Sequence, residues 1–212
     1  MKSSARIDPA IRRERAPAFR SRVFSQRDCV GRPMKAIVCT EYGSPDVLHL
    51  TEVATPVPKD DEVLVRIRAA SVNSLDWRLL RGKPVLARMF AGGLRKPKLT
   101  RPGRDMAGEV EAVGRDVTHY KPGDAVFGTC LGAFAEYACA SEGRLALKPA
   151  NIPFEDAAAV PVAATTALQA LRNKGCLQPG QQVLVDGASG GVGTFAIQIA
   201  KAFGAHVTAV CS

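Results

Sequence analysis

The segment that most constrains this chain is GQQVLVDGASGGVGTFAIQIAK, Gly180–Lys201. A short strand, Gln182–Val185, leads into a turn of small residues over Asp186–Gly190. An apolar helical pattern follows over Gly191–Phe203, and a second strand is predicted over His206–Cys211. The turn Ala188-Ser189-Gly190-Gly191-Val192-Gly193 fits G/A-x-G-x-x-G at the strand-to-helix junction, the context that gives the pattern meaning. In that reading Ala188 allows the tight turn, Gly190 lets backbone N–H groups approach a pyrophosphate, and Gly193 lets helix and strand pack closely. The helix N-terminus adds unpaired donors and about half a positive charge for the diphosphate. A Gly-rich turn with no ligand is the plainer alternative.

Nucleotide specificity is read at the end of the second strand, where an acidic residue about 20 positions on would bind a ribose 2′-hydroxyl. The matching position here is Ser212, next to Cys211. Neither repels a 2′-phosphate, and Ser212 can donate a hydrogen bond to one, so NADPH is favoured over NADH.

The rest of the chain reads as a different architecture. Short strands are expected at Lys35–Cys39, Val47–Glu52, Glu62–Ala70, Met106–Gly114, Asp124–Phe127 and Ala133–Ala138, joined by Gly- and Pro-bearing turns. Glu62–Ala70 alternates apolar and basic residues, as a half-buried strand does. A short helix over Leu75–Arg81 is capped by Asn73 or Ser74 and stopped by Gly82 and Pro84. This pattern predicts a small, mostly antiparallel, barrel-like domain over 34–150. Helices at Phe154–Val160 and Ala163–Lys174, separated by Pro161, then open a region over 151–212 that ends in one βαβ unit.

Charge narrows the partners. The net charge is +9, but residues 1–33 hold nine basic and three acidic side chains, two thirds of the excess. That stretch lacks an apolar core, so it is no secretory signal; it reads as a basic, disordered extension, with Met34 an alternative start, or loosely resembles a mitochondrial transit segment. A cytoplasmic location is otherwise expected. A second basic stretch, Lys83–Arg104, carries seven Lys and Arg and no acid. It reads as a solvated loop, a lid over an apolar acceptor, or a membrane or RNA contact; Phe90 is its only aromatic residue, which disfavours nucleic acid. No apolar run is long enough to span a membrane. The six cysteines form no C-x-x-C pair or Cys/His cluster, so they read as idle or buried thiols.

With these motifs in place, the chain from Met34 to Ser212 resembles the medium-chain dehydrogenase/reductase superfamily, and within it the zinc-independent, zeta-crystallin-like quinone oxidoreductases. Gly180-Gln181, Leu184, Ala188-Ser189-Gly190-Gly191, Gly193, Gln198 and Lys201 match that group's signature. VRIRAASVNSLDWRLLRG (65–82), PGRDMAGEVEAVG (102–114), YKPGDAVFG (120–128) and GAFAEYA (132–138) extend the match.

The resemblance implies an α/β plus β fold: a GroES-like, partly open β-barrel catalytic domain, then the first βαβ unit of a Rossmann nucleotide-binding domain, here incomplete. Zinc-dependent relatives place metal ligands at positions that are Asn73, Arg104 and near Val162 in this chain. An amide, a guanidinium and an alkyl group do not make a tetrahedral N/S site, so no zinc is expected.

The activity implied is hydride transfer from NADPH to a small-molecule quinone or α,β-unsaturated carbonyl. Asn73 resembles a family asparagine at the mouth of the substrate cleft, with an N-cap role as its alternative. Asp76 reads as a donor-orienting group or a helix-start carboxylate, and Trp77 as a cleft wall or core residue. Thr166 resembles a threonine that lies against the nicotinamide, with helix packing as its alternative. A homo-oligomer is compatible with all of this. A second reading is a truncated, inactive fragment with at most weak nucleotide binding; on it, the 212-residue chain alone does not oxidise NADPH with a simple quinone.

Overall fold

The computed structural model describes residues 31–84, 88 and 93–211. Most of the basic extension 1–33, part of the Lys83–Arg104 loop and Ser212 lie outside them.

The first unit is antiparallel throughout. Strands β1 (Pro33–Val38) and β2 (His49–Ala54) form a hairpin. A five-stranded sheet has the order β6-β3-β4-β5-β7, with β3 Glu62–Ser71, β4 Asp105–Val113, β5 Ala125–Thr129, β6 Tyr137–Ser141 and β7 Leu145–Leu147. The hairpin is laid along this sheet through an Ala36–Ala135 bridge and the Ile37 N–H donating to the Phe134 carbonyl at 2.8 Å. Its edges β6 and β7 do not pair with each other, so the barrel is open.

The core explains why β3 is more buried than its alternation implies. Lying between β4 and β6, it has neighbours on both edges, and Val63, Leu64 and Val65 are all fully buried. The basic residues appear only further on, where Arg66 and Arg68 pair with Glu109 of β4 at 2.6 and 3.1 Å. Met106, Val110, Val126 and Ala138 complete the apolar cluster.

One expected strand is corrected, and one strand was not expected. The strand placed at 133–138 forms at Tyr137–Ser141 instead, because residues 134–136 divide their backbone bonds between β1 and β3: Glu136 N–H donates to Lys35 and its carbonyl accepts from Ile67. The three-residue β7 is too short to leave a periodic signal.

Helix α1 (Ser74–Arg81) leaves β3 with Asn73 as N-cap and closes on Gly82 at φ 57°, a left-handed conformation suited to glycine. Helix α2 (Phe154–Ala158) packs Ala157 and Ala158 against Ala107 on the sheet. Pro161 does not simply separate two helices; it is the first residue of α3 (Pro161–Leu168), where a missing N–H costs nothing. The chain continues as a wider π-helical turn over Gln169–Lys174.

The second unit is a two-stranded parallel sheet. Strand β8 (Gln182–Asp186) pairs in register with β9 (His206–Val210), and α4 (Gly191–Ala202) connects them and packs against α3. Among the described residues no helix is long and apolar enough to cross a membrane.

Candidate active site and nucleotide loop

A buried carboxylate organises the first site. Asp105, the first residue of β4, is fully buried. It accepts a hydrogen bond from the Asn73 side-chain amide at 3.0 Å, one from the Ser71 hydroxyl at 3.3 Å, and two contacts from the Val162 N–H at 3.1 and 3.2 Å. Val162 lies in the first turn of α3, where a carboxylate meets an otherwise unpaired donor. One side chain therefore ties β3, the start of α1 and the start of α3 together. Burial pushes the Asp105 carboxyl above the usual carboxylate range, against the hydrogen bonds of Val162, Asn73 and Ser71.

Asn73 is thus held from two sides. Its amide donates to Asp105, and its backbone N–H donates to the Asp76 carboxylate at 2.8 Å. Because an ionised carboxylate only accepts, the amide NH₂ faces Asp105; it also lies 3.5 Å from the Ser71 hydroxyl, and the Asn73 side chain faces the Asp76 N–H in a capping box. Asp76 is buried at the third position of α1, so the helix-start reading describes its contact. Burial raises its pKa too, opposed by the Asn73 N–H and by the nearby positive charge of Arg104.

Asp76 also faces a cleft lined by Leu79, Leu80, Arg101, Arg104 and Leu131. The described part of the basic loop borders it: Arg88 lies over the Tyr42 ring at 4.9 Å, the Tyr42 hydroxyl donates to the Gly93 carbonyl at 2.6 Å, and Pro97 and Leu99 reach the cleft wall. Trp77 is not a core residue. Its ring is about half exposed and sits under Arg81 at 4.9 Å, because its place on α1 faces away from the sheet.

Thr166 is exposed on α3, and its hydroxyl donates to the Val162 carbonyl at 2.6 Å. It is not packed into a helix interface. Asn73, Asp105, Val162 and Thr166 consequently form one hydrogen-bonded series across both units.

The second site is the loop after β8. The left-handed residue there is Gly187 at φ 71°, so the sharp turn falls one residue before Ala188, which is buried. Gly190 is the N-cap of α4 and Gly191 its first residue. At Gly193 a methyl group would stand 2.3 Å from the Gly187 carbonyl oxygen and 2.8 Å from the Ala188 Cα. The close packing expected of this glycine is therefore present. Val192 is partly exposed, and added atoms at Gly191 would meet open space. The first-turn N–H groups of α4 have no carbonyl four residues back within the helix, so they are available to an anion. Ser212 lies outside the described residues.

Asp105 was not among the residues singled out in the sequence. Its signal was an acid at a strand start, between Arg104 and the apolar Met106 in Gly103-Arg104-Asp105-Met106, where burial calls for hydrogen-bond partners. Among the described residues, no three His, Cys, Asp or Glu side chains come together as a metal site would require.

An open antiparallel domain joined through short helices to a parallel βαβ unit with a glycine turn is the architecture of medium-chain dehydrogenases and reductases. Comparison with known proteins agrees. Residues 59–150 match the alcohol dehydrogenase GroES-like domain. Quinone oxidoreductase from Sus scrofa is 40% identical over 178 residues, covering 82% of this chain and 51% of that protein. A 2-methylene-furan-3-one reductase from Solanum lycopersicum is 41% identical over 191 residues, covering 84% and 47%. The structure of Escherichia coli quinone oxidoreductase complexed with NADPH superposes with a TM-score of 0.72 at 32% identity, covering 84% of this chain and 52% of that one. Residues 59–150 thus carry an alcohol dehydrogenase GroES-like domain, and along most of its length the chain is similar to one half of quinone oxidoreductases. It spans about half the length of the curated relatives it matches.

Proposed function

We propose that this protein binds NADPH at the Ala188–Gly193 loop and passes hydride to a quinone or α,β-unsaturated carbonyl, without a metal. The observation that carries the reading is the Asn73–Asp105–Val162 series. At the places where zinc-dependent relatives supply ligands, this chain has a fixed amide and a guanidinium around a carboxylate already satisfied by three donors. The residues of the glycine loop fit a dinucleotide: Gly193 permits the close helix approach, and the N–H groups of Gly191, Val192 and Gly193 face an open first turn.

NADPH supplies the hydride. The chain's own residues would bind and orient it: the α4 N-terminus would hold the diphosphate, Ser212 the 2′-phosphate and Thr166 the nicotinamide. Asn73 presents its side-chain amide to the acceptor oxygen, and Asp105 fixes that amide so that little reorganisation is needed as negative charge develops. Conjugation in the acceptor spreads that charge, which is why an amide donor suffices where an isolated carbonyl would call for a Lewis acid.

Loss of NADPH absorbance with 1,4-naphthoquinone tests the reading. Turnover above the uncatalysed rate, reduced on the order of a hundredfold in Asn73→Ala, is the expected result. A second reading, nucleotide binding without turnover, is favoured by the β8–β9 pair, where Leu184 is 68% and Val210 46% exposed. Saturable NADPH binding with no quinone-dependent oxidation would select it.

A further inference from the structure

Asp105 joins more than the acceptor side. Its carboxylate takes the Val162 N–H on both oxygens, at 3.2 and 3.1 Å, while the Asn73 amide and the Ser71 hydroxyl reach one of those oxygens from the end of β3. Pro161, the first residue of α3, has no N–H, so Val162 carries the first backbone donor of that helix. A buried carboxylate is a strong acceptor for it, and the helix dipole favours negative charge there. Two residues along β4, Ala107 meets Ala157 and Ala158 of α2. Asp105 and Ala107 share a face of the strand, so a polar and an apolar contact side by side seat α2 and α3 on β4.

The consequence runs along α3. Thr166 stands one turn beyond Val162 on the same side of the helix and donates its hydroxyl to the Val162 carbonyl at 2.6 Å, so the oxygen of this exposed side chain keeps its capacity to accept. We propose that Asp105 is a positioning residue for the nicotinamide half of the cofactor: by fixing the Val162 N–H it sets the placement of α3, and with it Thr166, relative to Asn73. This rests on the reading that sets Thr166 beside the nicotinamide. Asp105 itself touches neither cofactor nor acceptor; it ties together the two sides between which hydride passes. The adenosine half depends on it much less, because the glycine loop is closed by bonds within the βαβ unit, from the Ala188 N–H to the Val210 carbonyl at 2.9 Å and from the Gly190 N–H to the Gly187 carbonyl at 3.0 Å.

Isothermal titration calorimetry with NADP⁺ and with adenosine 2′,5′-bisphosphate, which lacks the nicotinamide, tests the assignment. Asp105→Asn keeps the size of the side chain but sets an NH₂ against either the Val162 N–H or the Asn73 amide. The variant is expected to bind NADP⁺ about tenfold more weakly than the unmodified protein and the bisphosphate with unchanged affinity, which also shows that it is folded. Thr166→Val should give the same split, and the double variant should bind NADP⁺ no more weakly than the weaker single variant, since both changes remove one shared interaction. Equal weakening for both ligands, weakening for neither, or losses that add in the double variant overturn the positioning role. NADP⁺ and bisphosphate both bound, with NADP⁺ affinity insensitive to Asp105→Asn, sinks that role alone. No binding of either ligand to the unmodified protein sinks the nucleotide cradle and this role with it.

Discussion

The two units bury their residues in opposite ways. In the antiparallel unit Val63, Leu64, Val65, Met106 and Val126 are completely shielded, and its buried carboxylates Asp76 and Asp105 are satisfied inside the same unit or at α3. In the βαβ unit, β8 alternates between exposed and half-buried residues and four of the five β9 residues are exposed. Its tightest contacts are instead those of Ala188, Gly193 and Ala200. The first unit is built around a core and the second around a turn. Stability should therefore reside in one and nucleotide recognition in the other.

The cysteines offer the largest contrast. Burial pushes the Cys130 and Cys139 thiols up to about 12, while Cys176 and Cys211 are exposed. In the folded protein at pH 8, Cys130 and Cys139 should react with a disulfide reagent about a thousandfold more slowly than Cys176 and Cys211. Peptide mapping of the labelled thiols measures this, and rapid labelling of Cys130 would mean that the core opens.

Core substitution comes next. Met106→Ala should lose about 3 kcal/mol in urea denaturation, since it empties a fully buried position. Asp105→Asn should cost about 2 kcal/mol, because an amide NH₂ placed against the Asn73 amide sets donor against donor.

That cost should depend on pH. The folded carboxyl lies above its ordinary value of 3.8, so the folded state holds the proton more tightly. Ionisation at higher pH therefore removes stability from the unmodified protein, and the deficit of Asp105→Asn should narrow as pH rises from 3.8 upward. A deficit that widens instead would mean that the buried carboxylate prefers its charged form. The smallest effect belongs to the open sheet. Leu184→Ser, at a position 68% exposed, should change stability by less than about 0.5 kcal/mol.

Local signals carried much of this structure. Asn73 and Gly82 mark the ends of α1 because a cap and a left-handed glycine act within one turn of chain. The strand, glycine turn and helix around Gly187–Gly193 are equally local. What remained hidden depends on distant partners. Tyr137–Ser141 becomes a strand only where β3 offers an edge, Trp77 is left outside the core by the orientation of α1, and the role of Asp105 requires Val162, 57 residues away. The glycine turn itself was legible as a pattern, but the division of labour between Gly187 and Ala188 was not, since it depends on backbone φ.

The central claim, that the loop before α4 is a dinucleotide cradle, is tested most directly by calorimetric titration of NADPH and NADH into the protein and its Gly193→Ala variant. The account predicts saturable binding with NADPH the tighter ligand, and an affinity at least about tenfold weaker in the variant, whose added methyl would stand 2.3 Å from the Gly187 carbonyl oxygen. Equal affinity in the two proteins, with the variant folded, would contradict it.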